Sequence, residues 1–149
     1  MSASTLLPGA AGATQIDCTA PAWAQEFEFR PPAGFPSPAQ DHAVQRIDLN
    51  AALIRHPVAT YFVTVKGDSM RDAGIEDGNR LVVDRAVTPE HGHIVVAVVD
   101  GELTVKRLYR KNGVVKLVAA NPTFPEIRMR EDSDLQIWGV ATFCIKKLQ

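Results

Sequence analysis

The run from Ile94 to Ala119 leaves few choices of fold. Ile94 to Val99 is apolar throughout, Asp100-Gly101 follows as a two-residue hairpin signal, and Glu102 to Tyr109 alternates as a strand does. Lys111-Asn112-Gly113 makes a second hairpin signal into Val114 to Ala119. Three antiparallel strands are predicted, with the apolar one central. Further strands are expected at Tyr61 to Val65, Arg80 to Asp84, Ile127 to Met129 and Leu135 to Ile145, separated by turns at Pro89 to Gly92, Asn121-Pro122 and Pro125. The one helical signal is short: Asp48 caps Leu49 to Ile54, which stops before Pro57. The fold class is therefore mainly β, and 149 residues suit a single domain with a real core.

Residues 1–40 have another composition, rich in Ala, Pro, Gly, Ser and Thr and closing on Pro31, Pro32, Pro36 and Pro38. Proline fixes φ and disfavours helix before it, so an extended, flexible N-terminal arm is expected, with at most a short strand near Glu26 to Phe29. The β-rich domain then occupies 41–149. Ala22-Trp23-Ala24 has the small-x-small look of a secretory cleavage site. No basic segment precedes it, and Pro8, Gly9, Gly12 and Asp17 break the apolar stretch, so a cytoplasmic chain is expected. No segment has the length to span a bilayer. Net charge is −1 with the basic residues dispersed, which argues against direct, sequence-specific DNA binding. Cys18 and Cys144 lack metal or disulfide spacing, and Cys144, in an apolar run, is expected in the core.

Tyr61 to Val65 ends at Gly67-Asp68-Ser69-Met70, where glycine permits a sharp turn that presents the Ser69 hydroxyl. Such a serine serves as ordinary turn chemistry or, given a base, as a nucleophile. The candidate base is Lys106, which strand alternation puts on one face with Thr104 and Leu108. An exposed lysine, pKa ~10.4, is neutral only about once in a thousand near pH 7.4; burial that lowers it by ~3 units makes the free amine common. A serine-lysine dyad is then workable without histidine or aspartate.

Gly34-Phe35-Pro36-Ser37-Pro38, Gln45-Arg46-Ile47-Asp48-Leu49-Asn50, Gly67-Asp68-Ser69-Met70, His91-Gly92 and Asp100-Gly101-Glu102 with Val105-Lys106 together resemble the UmuD family, self-cleaving mutagenesis proteins related to LexA-type repressors. Lys106 follows Ser69 by 37 residues, the family's dyad interval. The resemblance implies a LexA/signal-peptidase-like β domain and a serine endopeptidase. Ser69 would be nucleophile, Lys106 general base, and the backbone N–H groups of Asp68 and Ser69 the oxyanion hole. The cleavage site would be Ala33-Gly34, a pair found in the related repressors where UmuD itself has Cys-Gly. It further implies a homodimer, stimulation by the RecA nucleoprotein filament in the SOS response, and a UmuC-like Y-family translesion polymerase as partner. No cofactor or metal is implied.

Three alternatives differ in class. A Gly-Asp-Ser esterase would want an Asp-x-x-His pair near the C-terminus, yet no histidine follows His93. A LexA-like repressor would need a helix-turn-helix before the cleavage site, and the Pro- and Gly-rich residues there have no helical period. A non-enzymatic β-rich interaction module would make Ser69 and Lys106 incidental. His91 and His93 have i, i+2 spacing but fall in a turn with no third ligand in view, so they read as loop residues.

Overall fold

The computed structural model describes residues 13–28, 43–129 and 136–149. Among these residues ten strands occur in order: β1 (Ala13–Gln15), β2 (Trp23–Glu28), β3 (Ala43–Asp48), β4 (Thr60–Thr64), β5 (Arg80–Asp84), β6 (Ile94–Val99), β7 (Glu102–Lys111), β8 (Val114–Val118), β9 (Ile127–Arg128) and β10 (Gln136–Ile145). Helix α1 (Leu49–Leu53) is short, and the Asp48 carboxylate accepts from Asn50 N–H at its start. The protein is mainly β, as the hairpin signals require.

Eight strands form one antiparallel sheet in the order β1-β4-β5-β10-β6-β7-β8-β9. Asp100 and Gly101 have φ of 50° and 79°, and Asn112 and Gly113 have 53° and 75°, the left-handed pairs a tight primed hairpin demands. These turns set the register, pairing Val95 with Lys106 and Val96 with Val105 on β6 and β7. Both faces of β6 are covered. Val96 joins Val63, Val65, Met70, Leu81 and Trp138 in one core cluster, while Val95 and Ala97 join Leu108, Leu117 and Val140 in the other. That double burial explains why β6 has no polar alternation.

β2 and β3 form a separate two-stranded ribbon, registered from Trp23 with Asp48 to Glu28 with Ala43. It departs from the expectation of an extended arm with at most a strand near Glu26. Residues 13–28 supply two strands, and β1 pairs with the outer edge of β4. Ala22 is tied at both ends, its N–H to Asp48 Oδ1 and its carbonyl to Leu49 N–H. Cys144 also departs from expectation: it is exposed, because beyond Val140 β10 keeps β5 as a neighbour but no longer pairs with β6. Among the described residues, no helix is long and apolar enough to cross a membrane.

Candidate active site

β4 delivers the chain to the turn that carries Ser69. Val65 N–H donates to Asn79 carbonyl and Gly78 N–H to Val65 carbonyl, so the strand is pinned one step before it turns. Gly67 then takes a φ of 87°, open only to glycine without strain, and its N–H donates to Asp77 Oδ1 at 2.7 Å. After Ser69 the chain enters a 3₁₀ turn, Arg71–Ala73, with the Met70 side chain buried beneath it. Alternation along Asp68, Ser69 and Met70 thus leaves one exposed residue, one half-buried hydroxyl and one core anchor.

Lys106 lies on β7, where the β6 pairing sets it opposite Val95, a residue wholly removed from solvent. Its own exposure is only 7%. The amine donates to Thr104 Oγ1 at 2.9 Å and to the Val105 carbonyl at 3.2 Å, and Nζ sits 3.0 Å from Ser69 Oγ. Burial pushes its pKa below the ordinary lysine range, since an ammonium loses its hydration there. In the neutral form the two N–H bonds consume its two donors. The remaining lone pair is free to accept the Ser69 hydroxyl proton.

A cleft of about 430 Å³ opens beside the pair, with Val63, Val65, Val96, Leu103 and Val105 on its walls. Thr64, Lys66, Glu102 and Thr104 also line it, so the cleft offers polar as well as apolar contacts to an occupant. Among the described residues, no backbone hydrogen bond is made by the N–H groups of Asp68 and Ser69. Asn121 is buried against the same turn, and its only sequence signal is the Asn-Pro step of a loop. Ala33 and Gly34 lie outside the described residues. His91 Nδ1 accepts from Arg110 N–H, and His93 Nδ1 from Glu90 N–H, so both rings brace a turn. Among the described residues there is no cluster of His, Cys, Asp or Glu fit for a metal ion.

The peptidase S24-like family model matches residues 26–142. The chain belongs to that family. It is similar to the protein SamA of Salmonella typhimurium, 49% identical over 81% of this chain and 84% of SamA. It is 48% identical to the protein MucA of Escherichia coli over 74% of this chain and 75% of MucA. The LexA repressor of Ectopseudomonas mendocina is 38% identical over 95% of this chain and 72% of the repressor. These place it as a UmuD-type member of the LexA/UmuD group of S24 peptidases. The S24 match spans the Ser69 turn, Lys106 and the walls of the cleft. It starts within β2, so β1 and the first residues of the ribbon precede it.

Proposed function

We propose that this protein is a self-cleaving serine-lysine endopeptidase whose product serves as accessory subunit of an error-prone translesion DNA polymerase in the SOS response. The observation that carries this is Lys106: 7% exposed, with its Nζ 3.0 Å from Ser69 Oγ, which opens on a cleft of mixed lining. Neutral Lys106 takes the Ser69 proton as Oγ bonds to the Ala33 carbonyl carbon. The resulting oxyanion is held by the N–H groups of Asp68 and Ser69. Lys106 then returns the proton to the Gly34 nitrogen as the Ala33-Gly34 bond breaks, and water releases Ala33 from the serine ester. A tethered substrate needs only one turnover, so an inefficient dyad suffices.

Stimulation by the RecA filament, a UmuC-like polymerase partner and a cytoplasmic site of action come from membership of the UmuD-type group. Phe143 and Ile145, exposed on β10, offer an apolar strip suited to a second copy of the chain. The test is incubation of the purified protein with RecA, ATP and single-stranded DNA, followed by sequencing of the new N-terminus. Gly34 as first residue, with no product from Ser69→Ala, is the expected result. A different terminus, or cutting that survives Ser69→Ala, would overturn the proposal.

A further inference from the structure

The loop after β8 grips every second residue of the serine turn. Asn121 Nδ2 donates to the Asp68 carbonyl at 3.0 Å, Ala120 N–H donates to Met70 Sδ at 3.3 Å, and Asp72 N–H donates to the Ala120 carbonyl at 2.8 Å. Residues 68, 70 and 72 are thereby held from one side, and Ser69 is turned toward Lys106. The orientation of the Asn121 amide is fixed by chemistry. Thr123 N–H, which can only donate, lies 3.1 Å from Oδ1, and Thr123 Oγ1 lies 2.9 Å from the same oxygen, so the NH₂ end must face Asp68.

The Asp68 carbonyl and the Ser69 N–H belong to one peptide unit. That unit is planar and trans, so its C=O and N–H point in opposite directions. Fixing the carbonyl toward Asn121 fixes the Ser69 N–H away from it. Arg71 N–H also reaches the Asp68 carbonyl, at 3.2 Å, but it comes from within the same turn and would rotate along with it. Asn121 comes from a separate element, is 3% exposed, and supplies an external reference for the peptide plane. We infer that Asn121 is a positioning residue, which sets the Ser69 peptide plane so that its N–H is aimed at the developing oxyanion.

This inference rests on the serine-lysine reading, and the experiment separates the two. Self-cleavage of the full chain is followed against pH for the native protein, Asn121→Asp, Asn121→Ala and Lys106→Ala, with the Ser69 amide resonance recorded for each in a ¹H–¹⁵N spectrum. Asn121→Asp keeps the shape and removes the donor. Its plateau rate should fall by about 100-fold, the low end of the cost of losing an oxyanion donor, and that of Asn121→Ala by less, about 10-fold, since there the donor is misaimed and not lost. The pH midpoint of Asn121→Ala should stay put, because every hydrogen bond to Lys106 is intact and no charge is added, whereas the new carboxylate of Asn121→Asp favours the ammonium and should raise its midpoint; the Ser69 amide signal should move in both. A native plateau, an unmoved Ser69 signal in folded Asn121→Asp, or a lost rate with a shifted midpoint in Asn121→Ala would each overturn the role of Asn121. Absence of Lys106-dependent cutting in the native chain would instead overturn the peptidase reading, and this inference with it.

Discussion

The Ser69 turn and the β2–β3 ribbon are held in opposite ways. Around Ser69, β4, the 77–79 turn, the 120–121 loop and β7 all contribute hydrogen bonds, and Met70 is sunk in the core. Among the described residues the ribbon has two strands and no third, and Trp23 and Phe27 on one of its faces are 54% and 60% exposed. A two-stranded ribbon is marginal by itself. The contrast suits the division of labour in a self-cutting chain: preorganised groups lower a barrier only if they stay fixed, whereas the segment bearing the bond must travel. In the proposed mechanism that bond falls, in sequence, between β2 and β3.

The sharpest way to break this contrast is to remove the chemistry and leave the fold. Ser69→Ala and Lys106→Ala should each lower self-cleavage by about 10³-fold or more while circular dichroism and melting stay native-like. Comparable residual cutting would mean that the rigid site is not where the reaction occurs. For the native chain, the rate should climb about tenfold per pH unit and level off below the usual lysine range near ~10.4, because burial lowers the pKa of Lys106. A rise that continues through pH 10.4 would show an exposed, ordinary base.

Next in size is the core beneath the site. Leu108→Ala opens a hole beside Val95, Leu117 and Val140 and should cost about 2–5 kcal/mol, read from the denaturant midpoint. A loss under about 1 kcal/mol would show that the second cluster does not hold β7 in place.

Lys106→Met should do the reverse, raising stability at pH 7 by about 1 kcal/mol, since an apolar side chain avoids the desolvation of a buried amine. The sign with pH follows from linkage. A lowered lysine pKa means that the unfolded chain binds the extra proton, so native stability rises with pH between the depressed value and ~10.4, and the advantage of methionine shrinks over that window. Chemical denaturation of both chains at pH 7 and pH 10 checks this. A methionine variant less stable than the native chain would show that the three polar contacts of Lys106 outweigh its burial cost.

How much of this could be read in advance differs between the same two regions. β5 and β6 have the bounds expected from the sequence, Arg80–Asp84 and Ile94–Val99, because apolar runs and Asp-Gly or Asn-Gly turns are local signals. The ribbon was not legible. β3 reads Ala-Val-Gln-Arg-Ile-Asp, which mixes polar and apolar residues on both faces, and β2 puts Trp23 and Phe27 toward solvent. β1 is three residues long and is a strand only because β4 offers an open edge. Cys144 differs for a related reason: its apolar stretch reads as core, yet beyond Val140 β10 is paired with β5 and no longer with β6. Within the site, Ser69 and Lys106 announced themselves by residue type and interval. Asn121 did not, since its role depends on a contact across 53 residues of sequence.

The smallest effect tests whether the ribbon is energetically separate. Arg46 stacks on Trp23 with its guanidinium carbon 4.1 Å from the ring centre, a contact worth about 0.5–1 kcal/mol at an exposed position. Trp23→Ala should therefore cost under about 1 kcal/mol of global stability, several-fold less than Leu108→Ala. Its local effect should be larger: backbone amides of β3 that pair with β2 should exchange faster, while those of β6 keep the protection of the core. If β6 exchange accelerated equally, ribbon and core would open as one unit, and the scissile segment could not move without loosening Ser69 and Lys106. Faster exchange confined to β3 would mean that the arm can reach the cleft while the dyad stays assembled, as a single tethered turnover requires.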